Sequence, residues 1–434
     1  MVEFTDYKTA MDWLYRQLPM FQRQGAAAFK KDLTNTIALC SFLGNPERQF
    51  PCIHIAGTNG KGTAAHLIGA ALQANGLKVG LYTSPHYKDF RERIKINGKL
   101  VGRRFVLDFL HRSREAAERI QPSFFEWSFA MAMDYFAQEN VDIAVIETGL
   151  GGRLDSTNVV TPLLSVITNI SYDHMEFLGN TLPEIAYEKA GIIKYQVPVV
   201  IGEEQPEVRT VFENKAADMQ APISFASKRW MARLVSEETG AYMDLAIGEH
   251  EEPWGQIRVG LSGSYQIANV LTALESFRVL RSLEHWHWLS WERLTAGWEH
   301  LRDLTRMMGR WQKLQDSPTV IVDSAHNEGG IHWVVKMLDG LPHQHLHIVF
   351  GAVKDKDLSK MLQLLPADAA YYWCKADIPR GLDAASLQSQ AATFGLKGRA
   401  YSSVKNAFKA AKRRARPEDL VFVGGSIFVV AEVI

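Results

Sequence analysis

Lys61 stands in the run Gly57-Thr58-Asn59-Gly60-Lys61-Gly62-Thr63, between an apolar segment and one patterned as a helix. These residue types suit phosphate chemistry. Glycines let the backbone approach an oxygen that a Cβ would keep away. The N–H groups at a helix start attract an anion. A lysine ammonium reaches terminal phosphate oxygens. The usual phosphate loop, G-x-x-x-x-G-K-[ST], follows its lysine with a hydroxyl that holds Mg2+. Here Gly62 takes that place and Thr63 comes one residue late. If the loop binds a nucleotide, the oxygens that Mg2+ demands must come from elsewhere.

The carboxyl ends of neighbouring parallel strands are where to look, since ligands of open α/β sheets bind there. Ser84 closes "KVGLYTS", Glu147 closes "DIAVIE", and His174 follows "VITNISYD". Ser84 also reads as a turn residue before Pro85, and His174 as a loop cap. Glu147 resists such a reading, because an unpartnered carboxylate at the end of an apolar strand is costly to bury.

Short β-branched runs at 52–57, 78–84, 141–149, 163–170 and 197–202 alternate with helix-patterned stretches such as 62–76 and 125–140. Near-continuous apolar strands joined by helices predict a parallel sheet covered on both faces. The stretch 222–262 is irregular, richer in charge and glycine, and suits an antiparallel hairpin set. The alternation restarts at 319–327, 346–355, 369–376 and 419–426. The expected fold is α/β: a phosphate-loop-type, mostly parallel ATPase domain over 1–298, then a smaller Rossmann-like α/β domain over 299–434. The segment 297–304 is the linker candidate, and the cleft between domains is the default ligand site.

The bulk composition agrees with such an enzyme. The chain has 434 residues, 47% hydrophobic and 22% charged, with 48 basic and 48 acidic side chains. A net charge of zero argues against nucleic acid as a partner. Cys40, Cys52 and Cys374 form no C-x-x-C pair and suit a reducing compartment. The first residues lack a signal or transit pattern, and no apolar run approaches the ~20 residues of a membrane span. A cytoplasmic protein without a membrane partner is the expectation.

Five segments together carry a resemblance: "AGTNGKGT" (56–63), "TSPH…F.ERI.ING" (83–98), "ETGLGGRLDSTN" (147–158), "SYDHMEFLGNTLPEIAYEKAGIIK" (171–194) and "DSAHNEGG" (323–330). The sequence resembles the folylpolyglutamate synthase/dihydrofolate synthase family, a branch of the Mur ligase superfamily, over nearly its whole length. The resemblance implies ATP-dependent amide formation. A pterin carboxylate takes the γ-phosphoryl group, and the amine of L-glutamate attacks the acyl phosphate. It implies Asn59, Gly60, Lys61, Gly62 and Thr63 at the phosphates, and Ser84, Glu147 and His174 at the metal. Lys189 matches a lysine that becomes carbamylated and helps hold a second Mg2+. Asn269, Arg310 and Asp323 would contact ATP, and His326 would face the phosphates. Phe124, Phe125, Arg153 and Asp155 fall where the pterin substrate binds, with core packing an equal alternative for one of the two rings. ATP, two Mg2+ ions and a monovalent cation are the implied cofactors. Reduced folate or dihydropteroate, together with L-glutamate, are the implied partners of a monomer.

Read without the resemblance, Lys189 is a surface lysine pairing with Glu184 and Glu188, Asn269 a turn amide and Arg310 a solvated charge. The sequence also departs from the family. Met308 replaces the proline of Pro-Gly-Arg, and Ser324 replaces the glycine of Asp-Gly-Ala-His-Asn. "GAAAFKKDLTNT" (25–36) replaces K-x-G-L-x-R, which touches substrate preference. Two other readings compete: a Mur-type ligase acting on a cell-wall precursor, and a non-catalytic nucleotide-binding protein.

Overall fold

The computed structural model describes residues 6–18, 32–250, 252–354 and 358–434. Residues 25–31 of the variant N-terminal segment lie outside them. The described residues form a mixed α/β chain that divides into two compact units. The first holds the chain to Arg233, Leu245–Val259 and Gln266–Arg306. The second holds Leu234–Asp244, Gly260–Tyr265 and Met307–Ile434.

Eight strands build the sheet of the first unit. They are β1 (Cys52–Ala56), β2 (Val79–Tyr82), β3 (Ile94–Ile96), β4 (Lys99–Leu100), β5 (Ile143–Glu147), β6 (Leu164–Ile167), β7 (Val199–Ile201) and β8 (Ile223–Phe225). Their order is β4-β3-β2-β5-β1-β6-β7-β8. The β2–β3 and β3–β4 pairs are antiparallel, and the rest are parallel. The five runs expected as strands supply β1, β2, β5, β6 and β7. Every residue of these five is buried. The register sets Ile53 opposite both Val145 and Leu164, so β1 is central and its carboxyl end lies between those of β5 and β6.

Local signals fix the helices that carry site residues. Ser123 and Glu126 form a capping box that starts the helix Phe124–Gln138, and Thr181 and Glu184 form another that starts Leu182–Ala190. Each box satisfies two backbone N–H groups that a helix start leaves without partners. The segment 297–304 is not a loose linker. Trp291–Glu299 and Leu301–Thr305 are helical, and the division between units falls after Arg306. Trp298 Nε1 donates to Leu67 O at 2.9 Å, which seats the first of these on the helix Lys61–Ala74.

The stretch 222–262 carries, after β8, β9 (Trp230–Glu238), β10 (Tyr242–Glu249) and β11 (Glu252–Val259), a three-stranded sheet ordered β11-β10-β9. The second unit has β12 (Gln312–Asp316), β13 (Thr319–Val322), β14 (Leu346–Phe350), β15 (Ala370–Trp373), β16 (Gly398–Ala400) and β17 (Leu420–Gly424). They order as β12-β13-β17-β14-β15-β16, parallel except for β12. Trp311, Phe422 and the stacked pair Tyr371–Trp373 fill its core. No helix among the described residues is long and apolar enough to cross a membrane.

Gly297 makes the close helix packing possible. A Cβ there would lie 2.7 Å from both Ala70 O and Ala74 Cβ. Propensity alone favours Gly297→Ala by about 1 kcal/mol in a helix. The clash with a backbone oxygen reverses the sign, and a net loss of roughly 1–3 kcal/mol is expected. Urea unfolding of the purified variant checks it.

Candidate functional site

The loop after β1 is built by contact with the strand on one side of it. Gly57 (φ +141°) has no space for a side chain, since a Cβ would lie 1.9 Å from Thr168 Oγ1. Gly60 (φ +83°) is equally tight: a Cβ would lie 1.9 Å from Asn269 Oδ1. Thr58 N donates to Asn169 O and Asn59 N to Asn169 Oδ1, while Thr168 Oγ1 donates to Asn59 O. Thr58 Oγ1 donates to Ser171 O and accepts from Ser171 N. Residues 168–171, just past β6, therefore clasp the loop. Neither Thr168 nor Asn169 was a candidate from the sequence, although both lie in the strand-end run "VITNI". Gly60 starts the helix Lys61–Ala74 with its own φ positive, and Thr63 is buried in the first turn.

Two ammonium groups meet under this loop. Lys61 Nζ donates to Gly57 O at 3.0 Å and Thr58 O at 3.1 Å. Lys189 Nζ donates to the same Gly57 O at 2.9 Å. Lys189 is only 4% exposed, which overturns the surface-lysine reading. The glutamates expected as its partners are engaged elsewhere: Glu184 caps its helix, and Glu188 pairs with Arg153 at 2.8 Å. Burial pushes the Lys189 amine down to about 7, and the Lys61 charge adds to that, against the pull of Asp173 and Asp155. At neutral pH a large fraction of Lys189 is a free amine.

Glu147 ends β5 buried beside the loop. Ser84 N donates to Glu147 Oε2 at 3.1 Å, so the two strand-end residues meet. Gly62 answers for the missing hydroxyl. A Cβ at that position would stand 3.6 Å from Glu147 Oε2 and 3.8 Å from Oε1. The loop position that normally offers an oxygen to Mg2+ thus looks onto a carboxylate. His174 has φ +51° and begins the one-turn helix Met175–Leu178, with its Nε2 3.9 Å from Asp173 Oδ2. No group of three or more His, Cys, Asp or Glu side chains among the described residues is gathered as a metal site. The donor set around Glu147, a carboxylate with a hydroxyl residue at its side, fits a hard cation that takes oxygen ligands.

The run Glu147–Asn158 folds around Asp155, whose buried carboxylate accepts from Gly149 N, Leu150 N, Thr157 N and Thr157 Oγ1. Both oxygens of Asp155 are engaged in shaping this loop. Thr157 Oγ1 gives its proton to Asp155, so it accepts from His54 Nε2–H at 2.8 Å. His54 is fully buried in β1, and burial lowers its pKa to about 3. Arg153 pairs with Glu188 and lies 5.7 Å over the Tyr187 ring. The two candidate rings have different surroundings. Phe124 is a core residue, packed edge-on against Phe90 at 5.7 Å. Phe125 is half-buried and covers Gly149, where a Cβ would come 2.5 Å from its Cζ.

In the second unit, Asp323 Oδ2 accepts from Tyr265 OH at 2.6 Å and Trp311 N at 2.8 Å, and its Oδ1 accepts from Ala325 N at 2.8 Å. Ser324 N donates to Gly309 O. Asp323 thereby joins the turn holding Arg310 to the turn holding His326, and both of those side chains are half-buried. Met308 and Ser324, the departures from the expected motifs, lie within this pair of turns.

Comparison with known proteins identifies two family domains in the chain. The Mur ligase middle domain matches residues 55–277, and the Mur ligase glutamate ligase domain matches 309–427. The chain is 33% identical to the dihydrofolate synthase/folylpolyglutamate synthase of Bacillus subtilis, over 99% of each protein. It is also 33% identical to a probable bifunctional folylpolyglutamate synthase/dihydropteroate synthase of Haloferax volcanii. That match covers 98% of this chain, which spans about half (50%) of that longer relative. A bifunctional folylpolyglutamate synthase/dihydrofolate synthase of Yersinia pestis, solved with AMPPNP and Mn ion, superposes with a TM-score of 0.83. It is 27% identical, over 100% of this chain and 98% of that one.

Two outcomes follow from the loop. Gly60→Ala forces a Cβ into Asn269 at a positive φ, so nucleotide affinity should fall at least about tenfold, measured by calorimetric titration with ADP. The His54 pKa is lower folded than unfolded, so between about pH 6.5 and 3 the unfolded chain binds the extra proton. Stability from this group is intact above pH 6.5 and declines as pH falls, by up to ~1.4 kcal/mol per pH unit. His54→Val should flatten that slope in urea unfolding between pH 7 and 5.

Proposed function

The chain belongs to the Mur ligase family, in its folylpolyglutamate synthase/dihydrofolate synthase branch, and from that premise we propose how its residues divide the work of the reaction. The protein is an ATP-dependent ligase that joins L-glutamate to a pterin substrate through an amide bond. One observation carries the assignment of roles: buried Lys189 and half-buried Lys61 converge on Gly57 O beneath a glycine loop that faces the Glu147 carboxylate.

A pterin carboxylate oxygen attacks the γ-phosphorus of ATP, and ADP leaves. The glutamate amine then attacks the acyl carbon and loses its proton, and phosphate leaves as the amide forms. Such transfers need positioning and charge neutralisation more than covalent help from the protein. Lys61 and the N–H groups of the loop serve the phosphates. A divalent metal, when bound, supplies further neutralisation, and Ser84, Glu147 and His174 would hold it. Asn269 meets the nucleotide beside Gly60, and Arg310, Asp323 and His326 supply the second unit's part. Asp155 shapes the pterin loop, and Phe125 and Arg153 border it.

Lys189 adds a chemical step of its own. Its amine, deprotonated near pH 7, is nucleophilic towards CO2. A C–N bond forms, a proton is released, and the side chain becomes a carbamate anion. The charge beside Lys61 then changes from repulsive to attractive, and the carbamate oxygens offer ligands to a second metal ion. The same site serves dihydropteroate and reduced folates, because both present a carboxylate to the same phosphoryl group. The acting unit is a single chain in the cytoplasm.

Release of ADP and phosphate on incubation with glutamate and either dihydropteroate or tetrahydrofolate tests the function. Turnover with neither pterin, or only with a UDP-linked substrate, sinks it. Lys189→Ala should reduce kcat by at least about 10²-fold while the ADP affinity stays within about threefold. A spectrum of the wild type with ¹³C-bicarbonate should show a carbamate resonance that this variant lacks.

A further inference from the structure

One buried polar group near the loop has no role in that scheme. Gln266 opens the helix Gln266–Arg281 and is 0% exposed. Its Oε1 accepts from Asn269 Nδ2 at 2.8 Å, one turn further on. Its own Nε2 is buried and has no hydrogen-bond partner among the described residues. A buried amide donor left unpaired is destabilising, whereas an apolar side chain of the same size would fill this place without that cost. Packing alone therefore does not account for glutamine here.

The bond to Asn269 does. A side-chain amide presents a carbonyl on one edge and an NH2 on the other, and a half-turn about its last torsion exchanges them. Gln266 offers Asn269 a buried hydrogen-bond partner one turn back along the helix, and the bond ties the Asn269 amide down. Asn269 Oδ1 then lies against Gly60, so close that a Cβ on Gly60 would overlap it. Without the Gln266 amide, Asn269 would lose this anchor and could swing away from the loop. We infer that Gln266 is a positioning residue for nucleotide binding: it holds the Asn269 amide against the loop that takes the triphosphate. This rests on the nucleotide reading of the loop proposed above.

A double-mutant cycle tests it in the full-length enzyme, using Gln266→Met, Asn269→Ala and the pair. The readouts are KM for ATP and kcat with glutamate and pterin saturating, KM for glutamate, and ADP affinity by calorimetry. Gln266→Met should raise KM for ATP and the ADP dissociation constant roughly five- to tenfold, the size of one oriented hydrogen bond. KM for glutamate and kcat should stay within about twofold. The pair should be no worse than Asn269→Ala alone, since without the Asn269 amide there is nothing to orient. Independent, multiplying effects would overturn the inference, as would an equal rise in every KM. An Asn269→Ala enzyme with normal ADP affinity would instead remove the nucleotide reading of this helix start. Gln266→Leu repeats the comparison if the methionine variant melts below the assay temperature. Failure of both to fold would make Gln266 structural and refute the positioning role.

Discussion

Two lysine side chains donating to one carbonyl oxygen is the arrangement on which the rest of the first unit's site depends. Gly57 O is a neutral acceptor, and sharing it between half-buried Lys61 and buried Lys189 leaves two cationic groups near each other. Such a pair is costly, with Asp173 and Asp155 offsetting only part of the cost, and the cost falls if one member sheds its proton or a further anion arrives. The lowered pKa of Lys189 is the first of these, and a polyphosphate is the second. The helix start behind Gly60 and the loop N–H groups work in the same direction. The loop is thus prepared for anions before any substrate is present, by side chains as well as by backbone.

Preparing it costs conformational freedom, and the glycines reveal where. Gly57 and Gly60 both hold positive φ, and both are pressed against side chains of other segments, Thr168 and Asn269. The loop is therefore not a flexible tether that closes on its ligand. It is held by residues just past β6 and by the start of the helix Gln266–Arg281, with β1 beneath it. Gly62 differs. Its Cβ position is open towards Glu147 at ordinary contact distance, so a residue larger than alanine would press on that carboxylate. The irregular spacing after Lys61 is consistent with moving the metal's oxygen ligand from the loop to the ends of β2 and β5.

Much of this was legible in the sequence, for identifiable reasons. The strand-end rule found Ser84 and Glu147 because β2 and β5 are apolar to their last residues, which makes a terminal polar group conspicuous. Read from its neighbours alone, Lys189 looks like part of a solvated ion-pair face with Glu184 and Glu188, and only the resemblance assigns it to the site. The better signal was Ile185, four residues before Lys189 and one turn below it, which places the lysine on the apolar stripe. β3, β4, β12 and β16 escaped because Lys95, Lys99, Lys313 and Arg399 interrupt them, so they lack the near-continuous apolar run that marks β1, β5 and β7. The unit boundary after Arg306 escaped because Leu301–Thr305, polar in composition, is held by packing on the loop helix. The return of 234–244 and 260–265 to the second unit is a long-range event that no local pattern encodes.

The motif residues also turn out to do unlike kinds of work. Asp155 lies in the run most specific to the resemblance, yet its carboxylate is taken up by four donors of its own loop. Through Thr157 that loop is tied to His54 in the middle of β1. Asp323 is engaged in a comparable way between two turns of the second unit. Residue type alone could not separate these organisers from Glu147, because all three are acids within the motif runs. What separates them is which parts of the fold their carboxylates hold together. Asp155 and Asp323 have several N–H and O–H partners each, and that fixes a loop. Glu147 accepts from Ser84 N and lies beside Gly62, and that ties the end of β5 to the residues just past β2 next to the loop.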